Sequence, residues 1–436
     1  METFRLWLAV FGIIAVVVLL IKKRDTKTVL LGVGLVLCLL SLKPMDGLSA
    51  FTASMTKVGL IKAICASMGF AFVLKFTKCD QALVDTLTKP LGNIGFFLIP
   101  AVVILTWFIN IAIPSASGCA AAVGATLIPL LMASGVKPAM AGAAVFAGTY
   151  GGVLSPGSAH NIYVTDMIVK GGNTAYTVQD IIKVQMPSAF LSLAIVLISI
   201  SVVAFVLKDY TKGVNYLSSN QNNVNVSKNT KTNYIHALMP LVPLAILIVA
   251  GTPLSEISFL EWTKMGVAEA MILGAIVTLI VTMTNPEKIV KEFFSGMGTA
   301  YANIIGIIIA AGVFVAGLMA CGAIDFIIAI LKNEQDYVKF GGTFIPFLMA
   351  VVTGSGDAAT FAFNDAITSK AAEFGFSQDV LGMAATISGA LGRTASPLAG
   401  ACIVCAGLAN TNPFAIAKRT FLGMVISVIA IAFIIL

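Results

Sequence analysis

Charged residues are scarce in this sequence. Asp, Glu, Lys and Arg make up 11% of its 436 residues, whereas soluble domains carry about 25%. Hydrophobic residues make up 58%, and the mean hydropathy is +0.98. These values exclude a soluble globular protein. Because a spanning helix takes ~20 apolar residues, the chain supplies on the order of ten membrane crossings and leaves no room for a large domain outside the membrane.

Motifs of several enzyme and binding classes are also missing. There is no G-x-x-x-x-G-K-[ST] loop for a nucleotide and no H-E-x-x-H zinc motif. The seven scattered cysteines indicate neither a disulfide framework nor a metal site, and Cys402 and Cys405 are interpreted as two small apolar residues one turn apart. The excess of 27 Lys and Arg over 20 Asp and Glu indicates orientation in the membrane and contact with anionic lipid rather than binding to nucleic acid. We therefore expect no cofactor, no metal and no nucleic-acid partner.

Eight uninterrupted apolar runs predict plain membrane helices, at 6–21, 29–42, 58–74, 189–207, 234–250, 267–283, 298–320 and 421–436. The basic run 22–24 stands where a secretory signal would have its cleavage site, so the first helix is expected to remain. Placing this run inside predicts that both termini lie outside, with cytoplasmic loops at 22–28, 75–90, 135–138, 208–234, 284–297 and 410–419. These loops hold 16 Lys and Arg against 10 on the opposite side, which is the direction that the positive-inside rule predicts.

The other apolar stretches are interrupted in a pattern that occurs twice. Residues 148–156 align without gaps to residues 389–397 and share G-x-x-G-x-x-x-S-P at an offset of 241 residues. A polar interruption rich in small residues precedes each copy, at 114–118 and at 353–357. Each half is therefore predicted to contain a re-entrant hairpin followed by a broken helix. Five crossings per half, an odd number, would turn the second half upside down relative to the first.

The predicted fold is an all-α polytopic membrane protein of two inverted-topology repeats, each with five spans, one broken helix and one re-entrant hairpin. The first repeat covers residues 1–217, with hairpin tip 114–118 and broken helix 139–169. The second covers residues 234–436, with hairpin tip 353–357 and broken helix 376–409. The segment 218–233 is rich in Asn and Ser, has no apolar periodicity and is predicted to be a cytoplasmic linker.

The interruptions predict a ligand site. Serine is a favoured N-cap and proline a favoured first helical residue, so Ser155-Pro156 and Ser396-Pro397 are each expected to start a new helix. Gly118 and Gly356 are expected where the second legs of the hairpins begin. Four half-helix N-termini would then converge within the membrane, each with free N–H donors and a partial positive charge. An anion is the natural ligand of such a site.

Three ionisable residues lie near these interruptions, where charge is rare unless it is functional. Arg393 offers a planar fork suited to a carboxylate, and His160 and Asp357 are candidates for proton coupling. Sodium is the alternative coupling ion, because hydroxyl and carboxylate oxygens suit a hard cation. Besides Arg393, the residues expected to bind substrate are Ser115, Ser117, Ser155, Ser158, Asn161, Ser355, Thr360, Asn364, Thr394 and Ser396.

Each of these interpretations has an alternative. Arg393 could form a structural ion pair with Asp357 or Asp365, His160 could be a packing residue, and the serines could only satisfy helix ends. Residues 354–357 match the G-x-G-D motif of intramembrane aspartyl proteases, but no Tyr-Asp partner occurs in another span. An anion channel is a further alternative.

Three stretches of the second half resemble a known family: 352–363 (VTGSGDAATFAF), 391–397 (LGRTASP) and 412–420 (NPFAIAKRT). They are similar to the anaerobic four-carbon dicarboxylate uptake family, type C (DcuC), of the ion transporter superfamily. The resemblance extends loosely over the full length. It implies a bacterial inner-membrane carrier that exchanges or exports succinate and fumarate, with hairpins and broken helices in a moving transport domain. Other members of the superfamily carry amino acids or other organic anions, and the acid at 357 would also suit a cationic group.

Residues and resemblance together predict a secondary transporter rather than an enzyme. Its expected substrates are small carboxylates, above all four-carbon dicarboxylates, carried by alternating access with an elevator-type motion and coupled to protons or sodium ions. The alternative substrate is an amino acid or another organic anion. We expect a homodimer in the bacterial cytoplasmic (inner) membrane, in contact with membrane lipid.

Overall fold

The computed structural model describes residues 2–22, 24–56, 58–88, 95–216, 233–250, 258–323 and 335–435. Within these ranges the chain is helical and contains no strand, apart from one isolated antiparallel bridge between Val136 and Tyr210. The all-α prediction is confirmed. The predicted linker 218–233 lies outside the described residues except for Asn233.

Ten α-helices are found in the described residues of the first half. They are α1 (Glu2–Ile21), α2 (Thr26–Leu40), α3 (Pro44–Met55), α4 (Val58–Thr77), α5 (Cys79–Thr88), α6 (Leu98–Ala112), α7 (Ala116–Ala133), α8 (Pro138–Gly148), α9 (Ala159–Lys170) and α10 (Val178–Val206). Helices α6 and α7 form the first predicted hairpin, and α8 and α9 are the two parts of the first predicted broken helix.

The described residues of the second half contain ten more. They are α11 (Tyr234–Leu238), α12 (Val242–Ala250), α13 (Val267–Thr282), α14 (Pro286–Ala300), α15 (Gly306–Ala320), α16 (Gln335–Thr353), α17 (Gly356–Ala366), α18 (Gln378–Thr394), α19 (Gly400–Leu408) and α20 (Pro413–Ala430). Helices α16 and α17 form the second hairpin, and α18 and α19 are the parts of the second broken helix.

Three segments predicted as cytoplasmic loops contain helix instead. Residues 286–297 belong to α14, which the Asn285 side chain caps and which continues into α15 through the π-helical turn Tyr301–Ile305. The predicted loop 75–90 contains α5, and the predicted loop 410–419 contains the start of α20. Charged residues kept these segments out of the apolar runs, but helix formation depends on backbone hydrogen bonds and caps rather than on hydropathy.

Within the described residues, five helical segments are long and apolar enough to cross a membrane. They are Gly95–Ala112, Ala116–Ala133, Val178–Val206, Pro286–Ala320 and Pro413–Ile435. Five shorter apolar helices lie at Trp7–Val16, Lys27–Leu40, Tyr234–Leu247, Val267–Thr282 and Tyr337–Thr353. The protein is therefore a multi-pass membrane protein.

The buried hydrophobic residues form two clusters, and each cluster combines helices from both halves of the chain. The first cluster contains residues of α6, α7, α8, α10, α19 and α20. The second contains residues of α1, α2, α4, α13, α15 and α17. The two halves therefore interlock and share their interior, and the repeat boundaries at 217 and 234 remain predictions.

The second glycine of each repeated G-x-x-G motif lies at a backbone contact between helices. A Cβ on Gly151 would overlap the carbonyl oxygen of Trp107 in α6, and a Cβ on Gly392 would overlap that of Phe347 in α16. No side chain fits at either position. The repeated glycines thus let each broken helix lie directly against the first leg of its own hairpin, α6 in the first half and α16 in the second.

Candidate functional site

One cavity of 320 Å³ is lined by the first residues of α7, α9, α17 and α19. The N-cap residues of these helices are Ser115, Ser158, Ser355 and Ala399. Four positive helix ends, with the N–H groups of their first turns, therefore meet at one space. The sequence predicts such a convergence but places three of the four helix starts at other residues.

The hairpin tips are closed by serine caps. Ser115 Oγ accepts a hydrogen bond from the Gly118 N–H at 3.2 Å, and Ser355 Oγ accepts one from the Ala358 N–H at 3.5 Å. Helix α17 begins at Gly356 as predicted, whereas α7 begins two residues before the predicted Gly118. Each serine oxygen thus satisfies one of the orphan backbone donors at the start of its helix.

The second tip also depends on a left-handed glycine. Gly354 has φ of +72°, and a Cβ there would lie 2.6 Å from the backbone of Leu398. The tip of the second hairpin therefore packs directly on the break of the second broken helix. This contact brings Ser355 and Gly400 to the same cavity wall.

At the first break, the predicted helix start is wrong. Ser155-Pro156 does not start a helix but opens a turn, in which the Ser158 N–H donates to the Ser155 carbonyl at 3.1 Å. Ser155 Oγ also accepts from the Gly157 N–H at 3.3 Å. Proline is favoured at the second position of such a turn because its φ is preset. The helix begins four residues after Ser155, at Ala159.

The second break has the same local structure. The Ala399 N–H donates to the Ser396 carbonyl at 3.4 Å, and Ser396 Oγ accepts from the Leu398 N–H at 3.2 Å. Helix α19 begins at Gly400, three residues after the predicted first helical residue Pro397, so this predicted start is also wrong. The repeated Ser-Pro therefore encodes a repeated turn.

The three ionisable residues predicted for the site all line the cavity. His160 Nε2 lies 3.0 Å from Asp357 Oδ1, and the Asp357 side chain is 42% exposed, so its carboxylate is open to the cavity. Arg393 Nη2 donates to the Thr149 carbonyl at 2.8 Å. The ion pairs of the described residues do not include Arg393 with Asp357, so that alternative structural pair is not formed. Asp365 accepts the Tyr163 hydroxyl.

The predicted substrate-binding residues divide into two groups, a first group that lines a cavity and a second group that lines none. Ser115, Ser117, Ser158, Ser355 and Arg393 line the 320 Å³ cavity. Ser155 lies on a neighbouring cavity. The remaining residues line neither cavity and are buried: Asn161, Thr360, Asn364, Thr394 and Ser396.

The side chains of this second group hold the surrounding helices. Thr360 donates to the Ala385 carbonyl at 3.4 Å, Thr394 to the Ala390 carbonyl at 2.8 Å and Ser396 to the Val351 carbonyl at 2.7 Å. Asn161 Nδ2 donates to the Val153 and Ser155 carbonyls in the first break, and Asn364 Oδ1 accepts from Thr368. In this conformation they position the cavity walls.

Sequence reasoning missed four polar residues that line the cavity: Ser67, Asn110, Thr149 and Tyr150. Asn110 joins the first hairpin to the first break, because its Oδ1 accepts from the Gly152 N–H at 2.6 Å and its Nδ2 donates to the Ile113 carbonyl at 2.9 Å. A single amide in the apolar run 98–113 is the signal that would have found it.

A second cavity of 450 Å³ adjoins the first. The two share wall residues from α4 and from the first hairpin tip, namely Ser67, Met68, Ala71, Pro114, Ser115 and Ser117. The second cavity extends to Lys75, Asp80 and Gln81 near the end of α4 and the start of α5. The second cavity therefore lies beside the site, and its wall reaches the α4–α5 junction.

The segment 412–420, which carries part of the family resemblance, supports the site from outside. Arg419 forms a two-point contact with Asp209, Nε to Oδ2 at 2.7 Å and Nη2 to Oδ1 at 2.9 Å. Thr420 Oγ1 donates to the carbonyl of Thr394 at 2.8 Å. Because Thr394 follows Arg393, α20 fixes the end of the helix that carries the cavity guanidinium.

Comparisons with known proteins agree with this architecture. A protein of Haemophilus influenzae (strain ATCC 51907 / DSM 11121 / KW20 / Rd), described as an uncharacterized transporter, is 46% identical over 282 residues, which are 64% of this chain and 99% of that protein. The anaerobic C4-dicarboxylate transporter DcuC of Escherichia coli (strain K12) is 25% identical over 389 residues, 85% of this chain and 79% of that protein.

A solved structure has a similar fold. Neisseria gonorrhoeae MtrF, a member of a class of antimetabolite efflux pumps, matches with a TM-score of 0.55 and 12% identity over 89% of this chain and 82% of that chain. The model of the C4-dicarboxylate anaerobic carrier family, DcuC, matches residues 13–436. The chain therefore belongs to the DcuC family and is a transporter rather than an enzyme.

Proposed function

We propose that this protein is a secondary carrier of small carboxylates, with four-carbon dicarboxylates as its substrates and exchange or efflux of succinate and fumarate as its activity. The observation that carries the proposal is the meeting of four helix N-termini and Arg393 at one cavity. Each N-terminus is equivalent to roughly half a positive charge, so the cavity attracts anions. The family and the name of the Escherichia coli relative support a dicarboxylate.

Arg393 is the proposed anchor for one substrate carboxylate. A guanidinium has five N–H donors, and Arg393 uses Nη2 to hold the Thr149 carbonyl. The donors that remain match the two oxygens of a carboxylate. The caps at Ser115 and Ser355, with the N–H groups that follow them, are proposed to bind the second carboxylate.

We propose that the two halves are inverted repeats that work by alternating access. Matched contacts at corresponding positions support the repeat: the serine caps of the tips, the Ser-Pro turns of the breaks and the glycine contacts with α6 and α16. The cavity lies between residues of α4 and the tips and breaks. An elevator-type movement of the hairpins and broken helices along α4 and its neighbours would carry the site across the membrane.

The His160–Asp357 pair is the proposed group for proton coupling, because both side chains line the cavity and lie 3.0 Å apart. A proton taken up by the pair would remove the negative charge of Asp357 and so admit a second substrate carboxylate. Sodium held by oxygens of the tips is the alternative. We further propose a homodimer in lipid of the bacterial cytoplasmic membrane, with both termini outside.

Counterflow in proteoliposomes tests the proposal. Vesicles loaded with unlabelled succinate should accumulate labelled succinate, and uptake should saturate. Arg393→Lys keeps the charge but loses the fork, so we expect the succinate concentration at half-maximal uptake to rise roughly tenfold to a hundredfold, as for the loss of a charged hydrogen bond. Arg24→Lys, the same change at an exposed site away from the cavity, is the matched control and should behave like wild type.

Three outcomes contradict the proposal or part of it. Unaltered uptake by Arg393→Lys would leave Arg393 with a structural role only. Flux that does not saturate and shows no counterflow would favour an anion channel. Absence of any transport of four-carbon dicarboxylates, with counterflow of an amino acid or another organic anion instead, would replace the substrate class.

A further inference from the structure

We infer that the cavity selects four-carbon dicarboxylates that carry an ammonium group, such as aspartate, over unsubstituted ones such as succinate. The inference rests on the proposed function and names its preferred substrate. It follows from the presence of one carboxylate, Asp357, in a cavity whose other features attract anions.

The first step concerns the contacts of Asp357. Its Oδ1 lies 3.0 Å from His160 Nε2, and its Oδ2 has no hydrogen-bond or ion-pair partner among the described residues. The side chain is 42% exposed and lines the cavity. One oxygen of Asp357 is therefore open to a ligand that donates hydrogen bonds.

The second step concerns Arg393. Its guanidinium binds the Thr149 carbonyl and forms no ion pair with Asp357 among the described residues, although both side chains line the same cavity. A carboxylate open to the cavity and a guanidinium thus line the same ligand space without forming an ion pair with each other. A substrate that has a carboxylate and an ammonium group close together can contact both at once.

The third step is the balance of charge. An unsubstituted dianion brings two negative charges into a cavity that already holds the carboxylate of Asp357. An aminodicarboxylate brings one net negative charge, and its ammonium group can donate to the open oxygen of Asp357. Buried or partly buried charges need such a partner. The second carboxylate of either substrate still binds the helix N-termini.

Competition in the succinate counterflow assay tests this inference on the wild-type protein first. The competitors are aspartate, malate, which has a hydroxyl in place of the ammonium, and unlabelled succinate. We expect aspartate to halve counterflow at a concentration roughly tenfold to a hundredfold below that of malate or succinate, the range for one charged hydrogen bond. Equal potency of malate or succinate would overturn the inference.

Substitutions of Asp357 test whether this residue causes the preference for aspartate. Asp357→Asn should weaken competition by aspartate by the same factor relative to competition by succinate, so that the two half-inhibitory concentrations become similar, whereas Asp357→Glu should keep the preference for aspartate. Asp166→Asn removes an acid from an ion pair with Lys170 outside the cavity and is the matched control. An equal loss for both competitors in Asp357→Asn would overturn the inference, and if that variant does not fold, the wild-type series and Asp357→Glu decide.

The two proposals fail in different ways. If succinate and malate compete as well as aspartate, the carrier function stands and the selectivity for an ammonium group fails. If none of the three competes and no counterflow is seen, the proposed function itself fails and the selectivity fails with it.

Discussion

Replacement of Arg419 by alanine is expected to destabilise the protein severely. The Asp209 side chain is 1% exposed and receives two charged hydrogen bonds from Arg419, at 2.7 and 2.9 Å. After the substitution its nearest described cation is Lys137, which lies 3.8 Å away and is 41% exposed. Removing one partner of a buried pair typically costs about 3–5 kcal/mol, because a charge is left buried without compensation.

A thiol-reactive dye can measure this loss. All seven cysteines are buried free thiols, so the dye reacts as the detergent-purified protein unfolds, and the midpoint temperature reports stability. Lys137→Ala is the control, since a partly exposed pair is worth about 0–1 kcal/mol. Because net stabilities are about 5–15 kcal/mol, Arg419→Ala should lower the midpoint far more than Lys137→Ala. Equal midpoints for the two variants would refute the reasoning.

An apolar replacement of both partners separates burial from pairing. If the cost of Arg419→Ala arises from the uncompensated carboxylate, then Asp209→Leu combined with Arg419→Met should recover most of the lost stability, as apolar replacements of buried ion pairs often do. A double variant as unstable as Arg419→Ala would show that lost packing, rather than the buried charge, determines the effect.

Two further substitutions test how the cavity is held. Gly392→Ala places a Cβ on the Phe347 carbonyl and should abolish folded protein in size-exclusion chromatography, whereas Gly407→Ala, with open space around its Cβ position, should elute as wild type; a well-folded Gly392→Ala protein would contradict the close contact. Thr420→Val removes the hydroxyl that holds the Thr394 carbonyl, a bond worth about 0.5–1.5 kcal/mol. It should raise the half-saturating substrate concentration up to about tenfold at unchanged maximal rate, and Thr420→Ser should restore it; unchanged half-saturation in Thr420→Val would mean that α20 does not position Arg393.

The interruptions of the helices could be predicted from the sequence because glycine, serine and proline contradict the apolar helices around them. The exact helix starts could not. Serine followed by proline suits both an N-cap with its first helical residue and the first two positions of a turn. At Ser155-Pro156 the turn is accompanied by hydrogen bonds from Asn161 to the carbonyls of the break, a contact that no local pattern shows.

The direction in which individual side chains point could not be predicted from the sequence either. Thr360 and Asn364 were predicted to bind substrate and follow Asp357 at helical spacing, yet Asp357 borders the cavity while the other two are buried. The Thr360 side chain is instead directed to α18, whose Ala385 carbonyl accepts its hydroxyl. Asn110 was missed for the opposite reason, since one amide in an apolar helix produces no periodic signal.

The interlocking of the two halves has a consequence for synthesis of the chain. Helices α6, α7, α8 and α10 are made early, but the cluster that buries them also needs α19 and α20. Until Arg419 arrives, the carboxylate of Asp209 has no strong partner, and until Thr420 arrives the carbonyl of Thr394 lacks its donor. The helices inserted first therefore keep unsatisfied polar groups in the membrane until α20 has been made. A ribosome that stalls before α20 would release a product that membrane quality-control proteases can distinguish from the finished protein.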